Sequence, residues 1–66
     1  MKHFQYITAN SNILNGKPCI KGTRISVSLI LEWLASGANV SDITQKHPLL
    51  TNENVREAIS YAFYTA

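Results

Sequence analysis

The stretch NVSDITQKHPLLTNENVREAISYAF, residues 39–63, decides the fold. Asn39 suits a helix N-cap, because its short side chain accepts an N–H that the first turn leaves unsatisfied, and Asp42 at the third helical position can return the bond. Pro48 cannot continue a helix and restrains the residue before it, so the spacing predicts a short helix over 40–47. Thr51 offers a second cap. Beyond it Val55, Ala58, Ile59, Ala62 and Phe63 recur at i, i+3, i+4, i+7 and i+8, the apolar stripe of an amphipathic helix. Only Pro48-Leu49-Leu50 separates the two helices. The pair has the proportions of a helix-turn-helix, although other small three-helix bundles share them.

Upstream, VSLILEWLASG (27–37) is apolar at 27, 29, 30, 31, 33, 34 and 35, a wider face than one neighbour covers. A first helix buried on two sides is expected there, capped by Ser26 or Ser28 and closed by Gly37, where positive φ is needed. The first third reads differently. HFQYIT (3–8) alternates with aromatic and β-branched residues, which predicts a short strand. Asn15-Gly16 is a tight-turn dipeptide. Pro18 cannot donate to a ladder, so the segment after it is an edge strand or a loop, and Thr23–Val27 reads as a second extended piece beyond Gly22. The fold class expected is mainly α with a small N-terminal β-region: one domain over 1–66, with short strands and turns at about 3–27 and a three-helix, helix-turn-helix-like bundle over 28–65.

Size bounds the rest. A chain of 66 residues buries about 60% of its unfolded surface, so a monomer is marginal. Hydrophobic residues make up 45% and charged residues 15%, against about 25% charged in an average soluble domain. That apolar excess points to a homodimer or a protein partner, through the first helix or the N-terminal strands, with Leu29, Ile30, Trp33, Tyr61 and Tyr64 as interface candidates. One cysteine excludes an internal disulfide framework, and one Cys with two distant His excludes a four-ligand zinc site. The N-terminus lacks a signal-peptide run and no segment has the roughly 18 apolar residues of a membrane span. A reduced, cytoplasmic protein that is not embedded in a membrane is expected.

Net charge is +2, unevenly spread. Residues 1–27 carry Lys2, Lys17, Lys21 and Arg24 without an acid, which is +4; residues 28–66 carry Lys46 and Arg56 against Glu32, Asp42, Glu53 and Glu57, which is −2. The basic end is where an anion would bind. GKPCIKG (16–22) fits neither the P-loop nor the dinucleotide fingerprint, so its glycines serve as bends. Lys17, Lys21 and Arg24 could clamp a DNA backbone, or guard a β-edge against aggregation. If the third helix enters a major groove, Asn52, Glu53, Arg56 and Ser60 should meet base edges and phosphates, but Glu53 and Glu57 would repel phosphate, so a solvated or partner-facing surface is the stronger reading of that face.

No catalytic constellation is present. Cys19 has no base placed beside it and reads as a small structural residue. His47 is expected to complement the dipole at the end of the second helix, and Trp33 to fill core or interface. The protein is expected not to be an enzyme and to need no metal or cofactor.

Taken in order, Gly16, Pro18, Ile20, Gly22, Thr23, Arg24 and Ile25, followed by the apolar helix, a short helix ending in His-Pro, and LLTNENVREAISYA, resemble the domain of unknown function 433 family of small prokaryotic proteins. The resemblance spans about residues 4–63. Ser26 stands where the family often has proline, and Asn39 where it usually has a serine cap; both suit a helix start. The resemblance implies a helix-turn-helix-like fold. It also implies the antitoxin of a type II toxin-antitoxin pair, with a toxin as partner and operator DNA as a second ligand of the dimer. It supplies no catalytic residues. Many such antitoxins wrap the toxin with a long disordered tail; here a toxin is expected to meet a folded surface instead, or the chain does not neutralise one. The alternative reading is an interaction or dimerisation module without nucleic-acid binding. Gly22-Thr23-Arg24 is expected to form a fixed bend first, and an anion contact second.

Overall fold

The computed structural model describes residues 4–65. Two short strands, β1 (Ile7–Thr8) and β2 (Cys19–Ile20), precede three helices, α1 (Val27–Ala35), α2 (Val40–Lys46) and α3 (Asn52–Thr65). The strands pair antiparallel with Ile7 opposite Ile20 and Thr8 opposite Cys19, and Ser26 adds a single bridge to Cys19. The protein is therefore mainly helical with a small N-terminal sheet. Among the described residues no helix is long and apolar enough to cross a membrane.

The strands sit elsewhere than the alternation suggests. Of the stretch 3–8, only Ile7–Thr8 is strand, Gln5 and Tyr6 form a bend, and His3 lies outside the described residues. The second strand is Cys19–Ile20, the edge segment expected after Pro18, while Thr23–Val27 contributes only the Ser26 bridge. The reason is local: the Thr23 hydroxyl donates to Ile20 O at 2.8 Å and accepts from Ile25 N–H at 3.1 Å, which curls residues 21–24 into a turn. The tight turn at Asn15-Gly16 forms as expected, with φ of +56° and +84°, and reaches back to Leu14 at +51°. A leucine there stores about 1–2 kcal/mol of strain.

Each helix is set by its caps. Ser26 Oγ accepts the Leu29 N–H at 3.0 Å and opens α1. At its other end Gly37 takes φ +107°, and the Ala38 N–H reaches Trp33 O while the Gly37 N–H reaches Leu34 O, a Schellman closure. In α2 the reciprocal box is complete: Asn39 Oδ1 accepts from Asp42 N–H at 2.8 Å, and Asp42 Oδ2 accepts from Asn39 N–H at 3.0 Å. The helix ends at Lys46, with His47 as its C-cap. Pro48 then occupies the second position of a turn closed by Leu50 N–H to His47 O, 2.9 Å. α3 opens with a second reciprocal box, Thr51 with Asn54, both bonds 3.1 Å.

The core joins both halves: Cys19 and Ile20 from β2, Val27 and Ile30 from α1, Ile43 from α2, Leu50 from the connector, and Val55 and Ala58 from α3. α1 packs against both α2 and α3, as its broad apolar face implies. Its cover is incomplete, since Leu29 remains 36% exposed.

Candidate functional site

Three places collect the residues expected to work, and the first is the turn after β2. Ile20 N–H bonds Ile25 O, Thr23 N–H bonds Ile20 O, and Val27 N–H bonds Pro18 O, so residues 20–25 are held at both ends. Gly22 at φ +78° makes the turn possible. Lys21 and Arg24 project from this rigid loop and are exposed. Lys17, also exposed, lies before β2 and outside the turn. Among the described residues, no carboxylate pairs with these three cations, so Arg24 does not bridge to the helical half.

The second place is an open groove between the N-terminal segment and α3, lined by Gln5, Tyr6, Glu53, Arg56, Glu57 and Ser60. Tyr6 ties it together. Its N–H donates to Glu57 Oε1 at 2.6 Å and its carbonyl accepts from Lys21 N–H at 2.8 Å, which fastens the sheet to α3. Arg56 is exposed here between Glu53 and Glu57, an environment that favours a mixed-charge protein surface over phosphate. Asn52 is exposed at the first position of α3. The fold thus joins Lys21 with Arg24, and Arg56 with two acids; it does not gather all the cations into one patch.

The third place is apolar. Ile30, an interface candidate from its position in the apolar helix, is 0% exposed and belongs to the core, because it points from α1 between α2 and α3. Trp33 is half-buried and stacked on His47, with ring centroids 4.2 Å apart and planes 12° from parallel. Tyr61 is half-buried against the core and meets Phe4 edge-on. Tyr64 is exposed and touches Phe4 and Phe63.

The stripe expected on α3 is rotated. Ile59 is 43% exposed and Phe63 78% exposed, while Asn54, Val55, Ala58 and Tyr61 face inward. Asn54 belongs to the buried arc: its side chain accepts the Thr51 N–H, so its polar group is satisfied at 7% exposure. The Thr51-x-x-Asn54 spacing is the signal that this asparagine has a local partner and can be buried. Ile59 and Phe63, one helical turn apart, form an uncovered apolar ridge on the outer face of α3.

A family model described as "Protein of unknown function (DUF433)" matches residues 7–62. The uncharacterized protein y4eO of Sinorhizobium fredii (strain NBRC 101917 / NGR234) is 33% identical over 58 residues, covering 88% of this chain and 26% of that protein. The chain spans about a quarter of the length of this relative. No solved structure matches the chain.

Proposed function

The chain belongs to the DUF433 family, and from that premise we propose that it is the antitoxin of a type II toxin-antitoxin pair, a folded module that holds its toxin on the outer face of α3. One observation carries the choice of surface: Phe63 and Ile59 stand exposed side by side on a helix whose inner face is already filled. Adjacent apolar side chains that form a contiguous uncovered patch on a small domain mark a surface for a protein partner. Arg56 and Glu53 beside the ridge supply the polar rim that such interfaces have. A match to a quarter of a longer relative fits a module that works beside other domains. We place the pair in the cytoplasm, where a lone thiol such as Cys19 stays reduced.

The test is growth. The gene encoded beside this one is expressed alone and then with this chain; arrest relieved by co-expression supports the antitoxin reading. No arrest, or arrest left untouched, refutes it.

A second reading, operator binding by a dimer, is favoured by the rigid turn that presents Lys21 and Arg24 without carboxylate partners. Replacing both with alanine would then flatten the log-log salt dependence of DNA affinity by about two units, since each lost phosphate contact removes roughly 0.9. An unchanged slope excludes these two residues. No DNA shift at low salt, with hetero-complexes retained on a sizing column, leaves a pure protein-binding module.

A further inference from the structure

We propose that the cavity between the end of α1 and α2 is an anchor pocket for a phenol, the tyrosine side chain of a protein partner. Its volume is about 150 Å³. Sites for drug-sized ligands start at roughly 300 Å³, so this one has room for a single side chain. Ile43, 2% exposed, forms an apolar floor. The stacked rings of Trp33 and His47 form one wall, each fixing the other's orientation at 4.2 Å. A third flat ring packs well against such a pair, by offset stacking or edge-on.

The rim selects the guest. Asp42 and Lys46 both line the cavity and are four residues apart on α2, so they stand on one face with Cβ atoms about 5–6 Å apart. Asp42 Oδ2 takes the Asn39 N–H, which leaves the carboxylate with acceptor capacity to spare. Among the described residues, Asp42 and Lys46 are not ion-paired with each other. A charged guest finds one like charge on this rim, Lys46 against arginine or Asp42 against glutamate, which offsets the attraction of the other, and it must also give up the solvation of its own charge. A phenol meets neither difficulty: its O–H donates to the carboxylate, its oxygen accepts from the ammonium, and it brings no charge that burial would penalise. Ser36 spends its one hydroxyl hydrogen on Trp33 O at 2.7 Å, so it cannot donate to the phenol oxygen and leaves that place to Lys46. Tyrosine is also among the side chains that dominate interface energetics when seated in a pocket. This site lies at the α1–α2 corner and depends neither on the α3 ridge nor on the identity of a toxin.

Trp33 is the chain's single tryptophan, so its fluorescence and its indole N–H resonance report on the pocket without ambiguity. The full chain is titrated with p-cresol and separately with p-methylanisole, which has the same ring but no hydroxyl donor, while the Trp33 and His47 resonances are followed. The expected result is a saturable response to p-cresol. Affinity should fall about tenfold for p-methylanisole and for p-cresol with Lys46→Met, the loss of one hydrogen bond to a charged group. Lys46 is exposed, so that variant keeps its fold. No saturable change with p-cresol, equal affinities for the two ligands, or an unaltered Lys46→Met titration would each overturn the proposal.

Discussion

Replacing Glu57 by alanine should loosen the N-terminal segment from the helical body. The Glu57 carboxylate accepts the Tyr6 N–H at 2.6 Å across 51 residues of sequence. Hydrogen bonds to charged groups contribute about 1.5–3 kcal/mol. Glu57 is only half-buried, so water replaces part of the bond and the lower end applies, about 1.5 kcal/mol. A domain of 66 residues has a total stability of about 3–10 kcal/mol at 0.05–0.15 kcal/mol per residue. The change is thus a sizeable fraction of the whole. At about 4–8 °C per kcal/mol for a domain this small, Tm should fall by roughly 6–12 °C in a circular dichroism melt. Glu57→Gln keeps a neutral acceptor and should lose about half as much. Hydrogen exchange localises the effect: the Tyr6 amide should lose protection in Glu57→Ala, while the Ile30 and Val55 amides keep theirs relative to the new global stability. An unshifted Tm with Tyr6 still protected would refute the idea that this bond fastens the sheet to α3.

Five further substitutions, at four positions, separate core, cap and turn. Ile30→Ala should cost about 2–5 kcal/mol by opening a cavity, a large share of the total stability, whereas Leu29→Ala next to it should cost far less, about 1 kcal/mol; urea denaturation compares them. Asn54→Ala removes half of the box that opens α3 and should cost about 1 kcal/mol, with the Thr51 amide losing exchange protection. Gly22→Ala meets no heavy atom within 4 Å, so its cost should be the positive φ alone, about 1–2 kcal/mol in the same urea series, and Gly22→Asn should lose less.

The sequence made the helix ends legible, because capping is local chemistry: Ser26, Gly37, Asn39 and Thr51 all act where their spacing puts them. Pairing was not legible to the same degree. β2 falls at Cys19–Ile20 because Thr23 spends its hydroxyl on a turn, a choice that residue alternation does not encode. The buried arc of α3 includes a polar side chain, Asn54, whose polarity argues for the surface until its partner Thr51 is recognised. Ile30 and Leu29 are adjacent and equally apolar, and only the angle of α1 against α2 and α3 decides which is buried. The same limits apply to the site. Lys17, Lys21, Arg24, Asn52 and Arg56 are all exposed, but that Lys21 and Arg24 share a turn closed by Thr23, and that Arg56 lies in an acid-flanked groove tied by Tyr6 to Glu57, takes contacts that spacing does not show. The ridge of Ile59 and Phe63 stays hidden as long as every apolar residue of α3 is taken to face inward.

The most direct measurement pairs the growth assay with the double variant Ile59→Ser/Phe63→Ser, checked by its melting curve. Both residues are exposed, so Tm should stay within a few degrees of the unaltered chain. Relief of arrest should be lost while the fold persists. Full relief by the double variant would contradict the α3 ridge as the toxin-binding surface, and would move that surface away from the outer face of α3.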